Sequence, residues 1–215
     1  MGLYGVLSAT PPFEEMGVFF AVVTAQKRIS ARALELTILT ACRTGEVLGA
    51  RWGEVDFEGQ VWNILAERTK ANRPHRVPLV SATEAIFKGQ AGQDRDFVFP
   101  GAKAGLPLSN MAMLTVLRRM SRDDITVHRL RSTFRDWDWA AEKTDCPREL
   151  AEIALAHTMG SAVENAYRRS DLFEKRRLLM SASATYCITL RRDSDPADRT
   201  ANADSESAPP NPPSK

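Results

Sequence analysis

The pattern of apolar and polar positions is helical over most of the chain. In the segment ARALELTILTA, Leu34, Ile38 and Ala41 fall on one face of a helix, and Ser30 can cap its first turn. Four further helices are predicted by start signals ahead of periodic segments: Pro107 and Ser109 before NMAMLTVLRRM, Thr126 before VHRLRSTFRDWDWAAE, Pro147 before RELAEIALAH, and a capping box at Ser161–Glu164. The chain is therefore expected to be mainly α-helical.

One region, from about residue 55 to residue 80, breaks the helical pattern. There VWNILAERT is followed by the turn-forming residues KANRP and then by HRVPLV. Two short runs joined by such a turn predict a small antiparallel hairpin. The predicted fold class is therefore mostly α with a small antiparallel β-sheet.

The two ends of the chain differ from its middle. Residues 191–215 are rich in Ser, Asp, Ala and Pro, with almost no apolar side chains, so we expect a disordered tail there.

A chain of 215 residues has room for one domain of ordinary size or two very small ones. We predict one domain over residues 13–190, after a short lead at residues 1–12.

Composition narrows the class of protein. With 43% hydrophobic and 26% charged residues, the chain has the composition of a soluble globular protein, with no apolar run of membrane-spanning length and no secretory signal. Its three cysteines form neither a disulfide framework nor a pair at metal-ligand spacing, which favours a reducing cytoplasm. The net charge of +2 is only weakly basic, so charge alone makes nucleic-acid binding no more than an option.

Residues able to carry chemistry are concentrated in a few segments. The chain has only three histidines and three tyrosines. His128 and Arg131 are three residues apart in a predicted helix and so project together. His157 and Tyr167 follow within forty residues, and Arg43 lies far upstream in the segment TACRTGE.

These segments together resemble the catalytic domain of the tyrosine recombinases, or phage-type integrases. ACRTGEVLGARWGEVDF matches the family's arginine segment, ERTKANRPHRVPLV its lysine-bearing hairpin, HRLRSTFRDW its H-x-x-R helix, and LAHTMGSAVENAYRRSD its final histidine and nucleophilic tyrosine. The resemblance covers about residues 13–187 and is closest to integrases of prophages and genomic islands, which are mobile genetic elements. It implies site-specific DNA recombination and DNA integration by a metal-independent DNA strand transferase that needs no cofactor.

The resemblance implies a catalytic set of six residues: Arg43, Lys70, His128, Arg131, His157 and Tyr167. The tyrosine would attack a DNA phosphate and form a 3′-phosphotyrosine intermediate. The two guanidinium groups suit the non-bridging oxygens, which gain charge in the transition state, and His157 would donate a further hydrogen bond. His128 would accept or relay the phenol proton, and the lysine would protonate the leaving 5′ oxygen.

Basic residues beside this set are interpreted as DNA contacts that position the phosphate backbone: Arg68, Arg73, Arg76, Arg168 and Arg169. Glu46 is assigned a structural role in positioning Arg43. Each residue also has an ordinary interpretation, since an arginine near a glutamate is usually an ion pair, a lysine in a turn is usually solvated, and either histidine could belong to the core. His75 receives no role.

Two departures from the family pattern keep alternatives open. Few residues precede the matching region, where relatives carry DNA-binding segments, and Asp136–Trp139 contains a duplicated Asp-Trp pair. The alternatives are a catalytically impaired DNA-binding remnant and a type IB topoisomerase-like relaxing enzyme. The expected partner is double-stranded DNA, bound by a homo-tetramer with possible accessory DNA-bending proteins. No membrane association is expected, and the predicted location is the cytoplasm, at the nucleoid.

Overall fold

The structure, a computed structural model, describes residues 15–135, 148–155 and 171–193. The described residues form a mainly helical fold with one three-stranded sheet, so the predicted fold class is confirmed. In chain order the elements are α1 (Met16–Ala25), α2 (Ile29–Thr40), α3 (Thr44–Leu48), β1 (Val55–Asp56), β2 (Val61–Ile64), β3 (His75–Pro78), α4 (Ser81–Gln90), α5 (Ala112–Arg119), α6 (Val127–Arg135), α7 (Arg148–Ala154) and α8 (Asp171–Asp193).

The central element is α2, which packs against α1, α4, α5 and α6. Every side chain from Ala33 to Thr40 is buried, so this helix is enclosed on all sides instead of presenting one apolar face. Its two buried hydroxyls are satisfied within the helix. Thr37 donates to the carbonyl of Ala33 at 2.9 Å, and Thr40 donates to the carbonyl of Leu36 at 2.6 Å.

The end of α2 sets the start of the candidate site. Ala41 follows the helix in the left-handed region, with φ 51°, which stops the helix and turns the chain. Alanine is strained there relative to glycine. Two residues later, Arg43 takes an extended conformation and occupies the N-cap position of α3.

The sheet has the order β1-β2-β3 and is antiparallel throughout. Trp62 pairs with Val77 and Ile64 pairs with His75, so the predicted hairpin is confirmed. The Trp62 ring is fully buried and packs edge-on against Phe87 of α4, with ring centroids 5.7 Å apart. This contact fixes the sheet on the helical body.

A small second core joins the helices around the C-terminal end of α2. Its buried members are Ala41, Phe134 of α6, Ala154 and Leu155 at the end of α7, and Leu179 of α8. These residues come from four distant parts of the sequence. Their burial therefore brings the ends of α2 and α7 together beside α6 and α8.

Some details of the sequence prediction are corrected by the structure. Ser30 does not cap α2, because the carbonyl of Arg28 already accepts hydrogen bonds from Ala31 and Arg32, and the helix begins one residue before Ser30. The short strand β1 was not predicted. Asp136–Trp139 and Ser161–Glu164 lie outside the described residues, as do residues 1–12.

Near the C-terminus, α8 continues to Asp193, three residues past the expected domain end at residue 190. The remainder of the expected tail lies outside the described residues. Among the described helices, none combines the length and the apolar character needed to span a bilayer.

Candidate active site

Arg43 is held at the start of α3 by Glu46, which lies three residues later. One carboxylate oxygen of Glu46 accepts the backbone N–H of Arg43 at 2.7 Å, and the other accepts Nη1 of the Arg43 side chain at 3.0 Å. Glu46 is only 2% exposed, whereas the Arg43 side chain is 24% exposed. The carboxylate therefore orients a guanidinium group that stays partly open to solvent.

Arg131 is buried in α6, and its side chain links the residues that follow the C-terminal ends of α2 and α7. Its Nε donates to the carbonyl of Ala41 at 2.7 Å, and its Nη2 donates to the carbonyl of Leu155 at 2.6 Å. Among the described residues, these bonds use two of the five guanidinium N–H groups. Burial lowers the pKa of Arg131, and the nearby charge of Arg43 lowers it further.

Two residues that received no catalytic role lie beside this pair. His75, at the start of β3, is buried, and its pKa is lowered to about 3 by burial and then by the charges of Arg176, Arg43 and Arg131. Arg176 of α8 is also buried, and burial lowers its pKa to about 10. Its guanidinium donates from Nη2 to the carbonyl of Arg76. Sequence reasoning missed Arg176, because it lies in the charged run EKRR and nothing local marks one of these side chains as buried.

Positive charge therefore accumulates around His75. Cys42 does not offset it, because burial raises the pKa of its thiol to about 12 and keeps the group neutral at physiological pH. Glu46 is the carboxylate that contacts Arg43 directly. Among the residues that the structure describes, this cluster of guanidinium groups around one carboxylate suits an anion such as a phosphate diester.

The predicted basic residues of the hairpin separate into two kinds. Lys70 and Arg73 are exposed in the turn between β2 and β3, and Arg76 is exposed on β3, stacked over the Phe173 ring at 4.4 Å. Arg68 differs, since its Nη1 binds both carboxylate oxygens of Glu54 and its Nη2 donates to the carbonyl of Glu46 at 2.5 Å. The Arg68 guanidinium is thus engaged within the protein, and its role as a DNA contact stays a prediction.

The structure places His128 and Arg131 differently, although both belong to α6. His128 is exposed in the first turn, and Arg131 is buried one turn later. His157, Tyr167, Arg168 and Arg169 lie outside the described residues. The described chain approaches them at Leu155 and resumes at Asp171.

No group of three or more His, Cys, Asp or Glu side chains in the described residues could hold a metal ion. Of the predicted residues, Glu46 lies against Arg43, and Arg131 binds the carbonyl of Ala41, two residues before Arg43. Lys70 and His128 are both exposed.

Comparison with known proteins shows which proteins this chain is similar to. A family model described as the phage integrase family matches residues 16–172. The chain is 37% identical over 163 residues to Prophage integrase IntA of Escherichia coli (strain K12), a match covering 73% of this chain and 38% of that protein. It is 31% identical over 173 residues to Prophage integrase IntZ of the same strain, covering 79% and 42%, and 26% identical over 165 residues to the Integrase of Shigella phage Sf6, covering 71% and 40%. The chain thus spans less than half the length of these relatives.

Proposed function

We propose a function from one premise: this chain belongs to the phage integrase family, whose matching domain has the tyrosine recombinase fold. The proposed function is site-specific DNA recombination, in which DNA strands are cut and rejoined through a 3′-phosphotyrosine intermediate on Tyr167. Neither a topoisomerase-like activity nor an inactive remnant is favoured by the names of the relatives, which are integrases.

The observation that carries the proposal is the pairing of Arg43 with Arg131. The two residues are 88 positions apart in sequence, yet Arg131 donates a hydrogen bond to the carbonyl of Ala41, two residues before Arg43, at 2.7 Å. After burial, the charge of Arg43 is the next effect that lowers the pKa of Arg131. Two guanidinium charges that act on each other are stabilised by an anion placed between them. A scissile phosphate provides that anion, and its non-bridging oxygens gain charge in the transition state, where preorganised donors act most strongly.

The remaining steps are proposed for side chains around this pair. The Tyr167 oxygen attacks phosphorus, the bond to the 5′ oxygen breaks, and the departing oxygen takes a proton from Lys70. His128 accepts the phenol proton, and His157 donates a hydrogen bond to a non-bridging oxygen. Lys70 and His128 are both exposed, as groups that meet DNA from outside must be.

In this scheme the guanidinium groups supply the positive charge that other phosphoryl-transfer enzymes take from metal ions, so the reaction is proposed to proceed without a metal. Arg73, Arg76, Arg168 and Arg169 are proposed to contact the DNA backbone. The working assembly is proposed to be a homo-tetramer on double-stranded DNA at the nucleoid, with accessory DNA-bending proteins.

The test is covalent capture of the intermediate in EDTA. Nicked duplexes of mixed sequence are incubated with wild type, Tyr167→Phe and Tyr186→Phe, and the products are separated on a denaturing gel. The second variant is a matched control, because Tyr186 lies on α8 within the described fold. An adduct with the 3′ end of the cut strand is expected from wild type and from Tyr186→Phe, but not from Tyr167→Phe.

Two outcomes contradict the proposal. An adduct that survives Tyr167→Phe would reject this tyrosine as the nucleophile. Cleavage that needs added Mg²⁺ and leaves no protein adduct would reject the metal-independent mechanism.

A further inference from the structure

His75 occupies an unusual position for a polar side chain. It begins β3, pairs with the apolar Ile64 of β2, and is 8% exposed. A buried polar group is costly unless it finds a hydrogen-bond partner. Burial is the largest effect on the pKa of His75 and lowers it, whereas the backbone carbonyl of Ala154, as a hydrogen-bonding neighbour of the imidazole ring, acts in the opposite direction.

That carbonyl lies at the C-terminal end of α7, where the last carbonyl groups of a helix have no partners within the helix. Arg131 caps the following carbonyl, that of Leu155, at 2.6 Å. The carbonyl of Leu155 is thus bound by a side chain of α6, and the preceding carbonyl, that of Ala154, neighbours the imidazole of β3. Two residues after Leu155 comes His157, so these bonds fix the last described point before it.

The imidazole suits this position because it donates a hydrogen bond without adding charge. Arg43, Arg131 and Arg176 all act on it electrostatically, and a lysine or arginine at position 75 would add one more positive charge against them. Consistent with this, burial and those charges keep its pKa at about 3, so the ring is neutral at physiological pH.

We propose that His75 is a positioning residue, a neutral cap on the C-terminus of α7 that ties the hairpin bearing Lys70 to the segment leading into His157. This proposal rests on the proposed recombinase function for its catalytic consequence. The cap itself does not depend on that function.

The test compares His75→Leu, His75→Asn, His75→Gln and the matched control Ile64→Val. The leucine variant removes the donor and keeps an apolar side chain, whereas the two amide variants each keep a neutral N–H donor of different reach. Ile64→Val perturbs the paired position on β2 without touching the cap. Folding of all four is checked by circular dichroism.

The first readout is hydrogen exchange of peptides spanning residues 151–158, measured without DNA. His75→Leu is expected to raise exchange there by about tenfold or more, with Ile64→Val close to wild type. The second readout is the rate of covalent adduct formation. His75→Leu is expected to slow it by about 10- to 100-fold with DNA affinity little changed, and one of the amide variants is expected to recover most of that loss.

The proposal that His75 caps α7 would be overturned if hydrogen exchange is unchanged in His75→Leu, or if it rises equally in Ile64→Val. Adduct formation equally slow in the leucine and both amide variants would overturn the positioning role. If wild type forms no adduct at all, the proposed function fails, while the exchange experiment still decides whether His75 caps α7.

Discussion

Removing the charge of Glu54 should destabilise the fold strongly, because this carboxylate is the partner of Arg68. Glu54 is 5% exposed, and besides binding Arg68 it accepts hydrogen bonds from the indole N–H of Trp62 and the backbone N–H of Arg51, each at 3.1 Å. The Arg68 side chain is 15% exposed. In Glu54→Gln, the guanidinium charge would stay largely buried, with the carbonyl of Glu46 as its described partner.

The size of the effect follows from this burial. Breaking a buried ion pair by removing one partner costs about 3–5 kcal/mol, because an uncompensated charge is left in place. Partial exposure of Arg68 and the hydrogen bond that a glutamine can still accept reduce the expected loss to about 2–4 kcal/mol. Arg68→Met should cost a similar amount. The double variant Glu54→Gln/Arg68→Met should cost less than the sum by about 2 kcal/mol, since neither charge is then left alone.

The assay is urea denaturation of the four proteins at neutral pH, followed by circular dichroism. The control is Arg73→Gln, an exposed residue of the same hairpin. We expect this substitution to change the free energy of unfolding by less than about 0.5 kcal/mol. The slope of log binding constant against log salt concentration should fall by about 1, which corresponds to the loss of one phosphate contact. If Arg68→Met behaves like Arg73→Gln in both measurements, then Arg68 is a DNA contact and the reasoning from its ion pair is refuted.

Three further predictions concern the candidate site. Glu46→Gln should reduce adduct formation and cost about 2 kcal/mol in urea denaturation, because one amide oxygen cannot hold both donors of Arg43; wild-type values in both assays would contradict this. The pKa of His75 is about 3 in the folded protein and 6.5 in the unfolded chain. Its contribution to stability is therefore complete above pH 6.5 and is lost as the pH falls toward 3. The loss is at most about 1.4 kcal/mol per pH unit, and denaturation at several pH values should give a flatter profile for His75→Gln. Lys70→Met should slow cleavage of ordinary DNA but not of DNA with a sulfur at the 5′ bridging position, because a thiol with a pKa of about 8.5 leaves without a proton; equal slowing on both would exclude Lys70 as the acid.

The hairpin shows what local sequence can predict. Its turn KANRP separates two runs that pair in the register Ile64–His75, and the turn chemistry alone was enough to place them. The short strand β1 was missed because two residues carry no periodic signal. The start of α2 was misplaced by two residues, since a serine near a helix start can cap the helix or lie in its first turn.

The site itself was predictable only where a motif carried it. Arg43, Glu46 and Arg131 became candidates through their neighbours in sequence, and their catalytic roles stay predictions, although Glu46 does hold Arg43 in the structure. The partners of Arg68 could not be predicted, because Glu54 is 14 positions away and no local rule selects it over other carboxylates. Arg176 was missed for the same reason, since its burial depends on how α8 packs on β3.

The described partners of the buried arginines explain how the fold can concentrate positive charge. Arg131 binds the carbonyl groups of Ala41 and Leu155, and Arg176 binds the carbonyl of Arg76. A carbonyl group satisfies a guanidinium N–H without neutralising its charge, whereas a carboxylate would do both. Arg68, bound by Glu54, shows the second arrangement. Burying Arg131 and Arg176 against backbone oxygens costs desolvation energy, and a phosphate placed between such groups would recover part of it. If DNA binds here as proposed, it should therefore stabilise this part of the fold, because its phosphate would add negative charge beside guanidinium groups whose described partners are neutral carbonyls.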